Sequence, residues 1–315
     1  MLALLQAGAD RVQHPVLFGV QFRDAVTGRV VDEGLAVTLR DLWRPQRVQA
    51  LAANRSGVFV LHRWPGLHGL HGLPGLPDLP GSTAAAAASQ PSPPLWASPA
   101  EAERFELQVR DTLGRYLPAR LAPTVPGAGL WSPPGGGSSP PAAAPAAGQA
   151  APLAAPHVPL FSAATRPLPP ALASLRVELR RASQPGRPAR WARLELWLGS
   201  LRIAEGQADE AGRALLVFAL PRPREAALGS SPAGRPPAFE WTVTLRAFWS
   251  AGFADATTVP AFDDVFSQPE AGLLQRALPA PPLSPLPLPL PPLLLRAGEP
   301  LMAHQPPESF VYVAE

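Results

Sequence analysis

The 315-residue chain contains no cysteine and no lysine. The first absence excludes disulfides, thiolate metal sites and cysteine nucleophiles together. The second excludes lysine Schiff-base chemistry and the phosphate-binding lysine of a P-loop. Charged residues are sparse at 16%, so stability has to come from buried apolar surface. Also missing are a G-x-S-x-G elbow, a G-x-G-x-x-G turn and an H-E-x-x-H pair, the commonest signatures of hydrolase, dinucleotide and zinc-protease sites. The most apolar stretch, Leu283 to Leu295, is broken by repeated prolines and cannot form the ~20-residue helix that spans a bilayer. The N-terminal MLALLQAGADR lacks a basic segment before its short apolar run and makes a poor signal peptide. The expectation is a cytoplasmic protein with no membrane insertion, a non-enzyme without a cofactor.

Proline (44) and glycine (26) are abundant, so much of the chain cannot enter regular structure. All 27 basic residues are arginine, which lifts the pI to 10.4 although the net charge is only +3. Residues 1–165 carry 12 Arg against 10 acids, residues 166–246 carry 13 against 7, and residues 247–315 carry 2 against 7. Nowhere do these cations cluster as a nucleic-acid-binding element requires, and no nucleic-acid partner is expected.

Where the chain is not proline-rich, apolar residues recur at every second position, the period of a strand buried on one face. Four segments show it: Gly34 to Arg40, Phe105 to Arg110, Leu175 to Arg180 and Phe239 to Arg246. They belong to an internal repeat. In order, Gly34 to Arg40, Ala53 to Val60 and Phe105 to Arg110 match Ala173 to Arg180, Ala208 to Val217 and Phe239 to Arg246. Each copy has a polar group ending in glycine, Asn54 to Gly57 and Asp209 to Gly212, as a tight hairpin with positive φ at its last residue requires. The expected fold is all-β: two tandem antiparallel β-sandwich modules, residues 12–125 and 159–262, joined by a disordered linker at 126–158. Residues 66–100 begin with Gly66, Gly69, Gly72 and Gly75 and pass through Ala84 to Ala88. They read as a disordered insertion between two strands that still pair. In the closing segment, residues 263–315, Pro269 to Ala277 predicts a short helix and Leu278 to Leu295 a polyproline arm. Phe310, Val311, Tyr312 and Val313 predict a terminal strand that either completes a sheet of this chain or adds to a partner's sheet edge.

Few residues suggest chemistry. His62, His68 and His71 lie within ten positions, but their spacing matches no metal-ligand pattern and they read as loop histidines. The acidic pairs Asp32/Glu33 and Asp209/Glu210 fall at turns, where aspartate caps the backbone, and Asp263/Asp264 falls with Asp255 in a presumptive loop offering an unspecific cation site. No metal site is therefore assigned. Trp191 and Trp197 alternate away from Leu194 and Leu196, so they form either a contact surface or a second buried face. The candidate interaction surface is accordingly Trp191, Trp197, Phe310, Val311, Tyr312 and Val313.

Val26 to Leu39 (VTGRVVDEGLAVTL), followed by Asn54 to Val60 (NRSGVFV) and Pro65-Gly66, resembles the carboxypeptidase-regulatory-like, or transthyretin-like, β-sandwich. Leu160 to Pro169, Arg187 to Leu196 and Ala208 to Phe218 resemble uncharacterised proteins encoded with phage-tail-like contractile injection particles. The resemblance implies non-catalytic modules and a structural or assembly role, with other subunits of a large assembly as protein partners. A carbohydrate- or surface-binding module is the alternative.

Overall fold

The computed structural model describes residues 16–64, 103–125, 130–133, 156–168, 172–221, 240–275, 288–297, 299, 301–303 and 310–314. The insertion at 66–100, most of the linker, residues 276–287, His68 and His71 lie outside the described residues. The regular structure of the described residues is nearly all strand, as the alternation predicts.

The first sandwich is built from β1 (Phe18–Asp24), β2 (Leu35–Asp41), β3 (Val48–Ala53), β4 (Val58–Leu61), β5 (Glu103–Asp111), β6 (Ala119–Leu121), β7 (Thr124–Val125), β8 (Leu130–Trp131) and β9 (Val158–Leu160). Their order is β6-β5-β2-β3-β4-β1-β8, with β7 also on β5 and β9 also on β1. The β3–β4 hairpin joins the β6-β5-β2 side of this nine-stranded sheet to its β1-β8 side. Phe18, Val20 and Phe22 of β1, Val37 and Leu39 of β2, and Phe105, Leu107 and Val109 of β5 alternate into one core. The second sandwich comprises β10 (Ala173–Arg181), β11 (Arg193–Leu198), β12 (Leu201–Gln207), β13 (Arg213–Phe218), β14 (Glu240–Phe248), β15 (Glu270–Ala271), β16 (Leu273–Leu274), β17 (Leu293–Arg296), β18 (Leu301–Met302) and β19 (Val311–Val313). Its two sheets run β13-β10-β19-β16 and β12-β11-β14-β15, with β18 on β10 and β17 on β14. They close over Leu175, Leu179, Leu194, Leu196, Val243 and Leu216.

The two sandwiches share most of their strand pairing, except that β3 pairs with β4 whereas β12 and β13 lie in separate sheets, and that β16 adds to β19 without a counterpart. β1 pairs antiparallel with β4 and parallel with β8 and then β9; β10 pairs antiparallel with β13 and parallel with β18 and then β19. β2 lies between β3 and β5, and β11 between β12 and β14. The far edge of β5 is shared by β7 and β6, that of β14 by β17 and β15. The repeat therefore embraces the whole sandwich. Its alignment shifts at the first segment: Gly34 to Arg40 corresponds to β11, and the counterpart of β10 is β1. Short alternating strands are interchangeable by pattern; only the pairing distinguishes them. The repeated hairpin holds. Asn54 Oδ1 accepts from the N–H groups of Ser56 (2.9 Å) and Val58 (3.1 Å), Asp209 Oδ1 from those of Ala211 (2.9 Å) and Arg213 (2.8 Å). Gly57 and Gly212 close them at φ 70° and 75°.

Several expectations need correcting. β8 and β9 lie within the segment expected as linker or at its border, yet both pair with β1, so the first sandwich takes its last strands from beyond residue 125. The second continues to β19, well past 262, because β10 and β14 would otherwise leave open edges. β4 and β5, which flank the insertion, do not pair; β2 and β3 stand between them in the sheet order. Pro269 to Ala277 is not a helix where described, since Glu270–Ala271 and Leu273–Leu274 are claimed by the strands beside them. Leu293–Arg296 leaves the expected polyproline arm to pair with β14. Asp263 and Asp264 lie not in a loop but in the first turn of the one described α-helix, α1 (Phe262–Phe266).

Candidate functional site

The terminal strand is not free for a partner. Val311, Tyr312 and Val313 are buried between β10 and β16, and Arg180 covers the Phe310 ring at 3.3 Å. Trp197 is half-buried on the outer face of β11, where its indole N–H donates to Glu195 Oε2 at 3.0 Å and Arg246 stacks on its ring at 4.8 Å. Beneath it Arg193 bridges Glu195 (2.7 Å) and Glu205 (3.0 Å). Burial pushes the Glu205 carboxyl above its usual range against the pull of Arg202 and Arg193. This network ties β11 to β12 and leaves Trp197 little to offer. His62 is exposed, and no group of three metal-ligating side chains occurs among the described residues.

Two features remain. The first is the β2–β3 hairpin. Asp41 is buried, and its Oδ1 accepts from the N–H groups of Trp43 (2.8 Å) and Arg44 (3.1 Å), while Arg47 N–H donates to Arg44 O (2.8 Å). This pinned turn holds Trp43 79% exposed, with Leu42 and Val48 exposed beside it. The sequence carried a signal: Leu42-Trp43 interrupts the alternation just where Asp41 and Pro45 mark a turn, so its apolar side chains have no sheet face to enter.

The second is a cleft of about 650 Å³ between the sandwiches. One wall is the outer face of β2, β5 and β6, where Arg40 stands opposite Glu106, and Gln108 opposite Arg120. The other wall is Trp191, Asp209, Glu210 and Thr257 to Val259. The walls are held by α1. Phe262 and Phe266 stack at 4.4 Å and pack with Phe161 against the first core, while Arg193 of the second sandwich covers Phe266 at 5.4 Å. A bridge pairs Arg120 with Ala261 along the β6 edge.

Trp191 is the one described non-glycine residue at positive φ, 60°. Val37 faces Val109 across β2 and β5, and Leu194 faces Ala247 across β11 and β14, so three residues along each ladder Gly34/Thr112 corresponds to Trp191/Ser250. Gly34 has φ 75°, and Thr112 N–H donates directly to its carbonyl at 2.7 Å. In the second sandwich the buried Gln268 amide is inserted there: Nε2 donates to Trp191 O (2.9 Å), and Oε1 accepts from Ser250 N–H (3.0 Å). Trp191 is 3% exposed and its indole N–H has no acceptor among the described residues. It is thus not a contact surface but a buried element of the cleft wall.

No protein-family model and no curated protein matches this chain. Among solved structures, the Bacillus anthracis TIE protein aligns with 95% of this chain and 34% of its own length, at 7% identity and a TM-score of 0.21. The chain thus spans about a third of that protein, and a likeness at that score carries no argument about fold or function. No described helix is long and apolar enough to cross a membrane.

Proposed function

We propose that this protein is a non-enzymatic docking subunit of a large assembly, a rigid pair of carboxypeptidase-regulatory-like sandwiches that engages another subunit through the β2–β3 hairpin. The observation that carries the reading is Trp43, 79% exposed on a turn already fixed by Asp41. A pinned, exposed tryptophan loses little conformational entropy on docking, and removing its ring from water typically contributes about 2 kcal/mol or more at the centre of an interface. The phage-tail-like contractile particle is the assembly that the sequence resemblance favours. Capture of tagged wild-type and Trp43→Ala protein from native extracts, with mass spectrometry of what is retained, tests both parts. Tube, sheath or baseplate proteins are expected with the wild type, and about thirtyfold weaker retention with the variant. Equal retention by both would remove the hairpin from the interface, and retention of unrelated proteins would remove the particle.

The alternative, a carbohydrate-binding module, is favoured by a different observation, the polar cleft beside Trp191.

A further inference from the structure

Asn54 is the sole asparagine of the chain, and Arg55 and Ser56 follow it, which makes the Asn-x-Ser pattern that accepts N-linked sugars. The structure places this triplet on the β3–β4 turn, with all three residues exposed. The second sandwich shows what the turn itself needs. Asp209, Glu210, Ala211 and Gly212 make the same turn there, with the same two backbone N–H groups bonded to the leading side-chain oxygen and glycine again at positive φ. A carboxylate thus stands where the first sandwich has the Asn54 amide, and a methyl where it has the Ser56 hydroxyl. The turn consumes one acceptor oxygen and its backbone, including Ser56 O, which accepts from the Gln21 amide at 3.2 Å. Asn54 Nδ2 and Ser56 Oγ are left without a hydrogen-bond partner among the described residues. Local folding therefore gives no reason for the amide or for the hydroxyl, the two groups that sugar transfer requires.

We infer that Asn54 is a site of N-linked glycosylation, taking its sugar from a diphosphate-activated donor. In the transfer, Nδ2 forms a bond to the anomeric carbon. The bond from that carbon to the diphosphate oxygen breaks, its electron pair leaves with the diphosphate, and one amide proton passes to a base of the transferase; nothing is oxidised or reduced. An amide nitrogen is a weak nucleophile because its lone pair is shared with the carbonyl. Here the fixed N–H groups of Ser56 (2.9 Å) and Val58 (3.1 Å) point at Oδ1 and stabilise the negative charge it gains as the proton departs. The product keeps its carbonyl oxygen, so both turn bonds survive the modification. The turn and the Trp43 hairpin lie at opposite ends of β3, so a glycan here leaves the docking hairpin uncovered and holds the other end of the strand in water. The two readings are independent, and either can fail alone.

Mass spectrometry of the full chain purified from its native cells, with fragmentation that locates the modified residue, tests this. The wild type is expected to carry sugar on Asn54, and Ser56→Thr to remain modified. Ser56→Ala and Asn54→Asp are expected to lose the sugar completely. Both variants reproduce the residues of the second sandwich's own turn, so they are expected to fold, and an unchanged circular dichroism spectrum checks that. A single hexose, or a ladder of them, identifies a nucleotide-activated donor, and one preassembled oligosaccharide identifies a lipid-linked donor; either supports the assignment. An unmodified Asn54 in the wild type, or sugar retained there in Ser56→Ala, would overturn it.

Discussion

Removal of the Arg166 side chain is the perturbation whose cost the structure defines most closely. Arg166 follows β9 and reaches back to the end of β1. Its Nη1 donates to Asp24 Oδ1 (3.1 Å) and to Ser162 Oγ (2.8 Å), its Nη2 to Asp24 Oδ2 (2.6 Å), and the guanidinium lies 4.9 Å from the Tyr116 ring centroid. Both partners are under a tenth exposed. Arg166→Ala leaves a buried carboxylate with the Val26 N–H, the Thr27 hydroxyl and the Tyr116 hydroxyl as its remaining donors. Breaking one side of such a pair costs about 3–5 kcal/mol, whereas replacing both partners with apolar residues of similar size is often near neutral. With about 2–4 °C per kcal/mol for a domain of this size, the melting temperature of the first sandwich falls by roughly 6–20 °C in Arg166→Ala, and Asp24→Leu/Arg166→Met recovers most of it.

The pH dependence follows from the same contacts. Burial disfavours the Asp24 charge, but the Arg166 and backbone hydrogen bonds outweigh it and hold the carboxyl below its usual range. A depressed folded-state pKa gives stability that is present above the unfolded value, about pH 4, and is lost as pH falls through the folded value. The gap between wild type and Arg166→Ala is therefore present at pH 7 and narrows as pH falls, beginning where the uncompensated Asp24 carboxylate of the variant takes up its proton. Calorimetry of the three proteins across this range decides. A loss under about 1 kcal/mol for Arg166→Ala, as for an exposed pair, or a double variant as unstable as the single one, would refute the reasoning.

Phe262→Ala removes the centre of the aromatic stack and is expected to cost about 3–5 kcal/mol, with the sandwiches released from one another; faster proteolytic cleavage near α1 and a larger radius in small-angle scattering would show it. Two turn glycines of the second sandwich, Gly199 between β11 and β12 and Gly212 before β13, give a graded pair. Gly199→Ala meets only the cost of φ 59°, about 1–2 kcal/mol, because no atom lies within 4 Å of the added carbon. Gly212→Ala has φ 75° and would place that carbon 2.4 Å from Leu179 O, so urea unfolding should show a clearly larger loss; equal losses would show that the turn relaxes freely.

How far the sequence could be read differs by element. Alternation located β2, β5, β10 and β14, because a strand with one wet face must repeat every second residue. Asn54 to Gly57 and Asp209 to Gly212 announced their hairpins, because an Asx side chain and a left-handed glycine make that turn by local chemistry alone. β6 to β9 and β15 to β18 were not legible as sheet members, and β19 was legible as a strand but not with its partners β10 and β16. They are two to four residues long, too short for a period, and are strands only because β1, β5, β10 and β14 offer open edges. The same holds for the candidate sites. Trp191 and Trp197 were visible as alternating tryptophans, but their placement, one at φ 60° bridged by Gln268 and one under Arg246, depends on groups far off in sequence.

Composition by itself determined that stability rests on apolar burial without disulfides, that the fold is β and that it is duplicated, since these follow from residue type and period. Tertiary structure alone decided that β9 and β19 return to the first strand of each sandwich, that Phe262 and Phe266 of the second half fill the core of the first, and that Arg40, Arg110 and Trp191 face one cleft. These contacts join positions tens to hundreds of residues apart, and such pairings are fixed by the fit of whole surfaces, which no local pattern encodes.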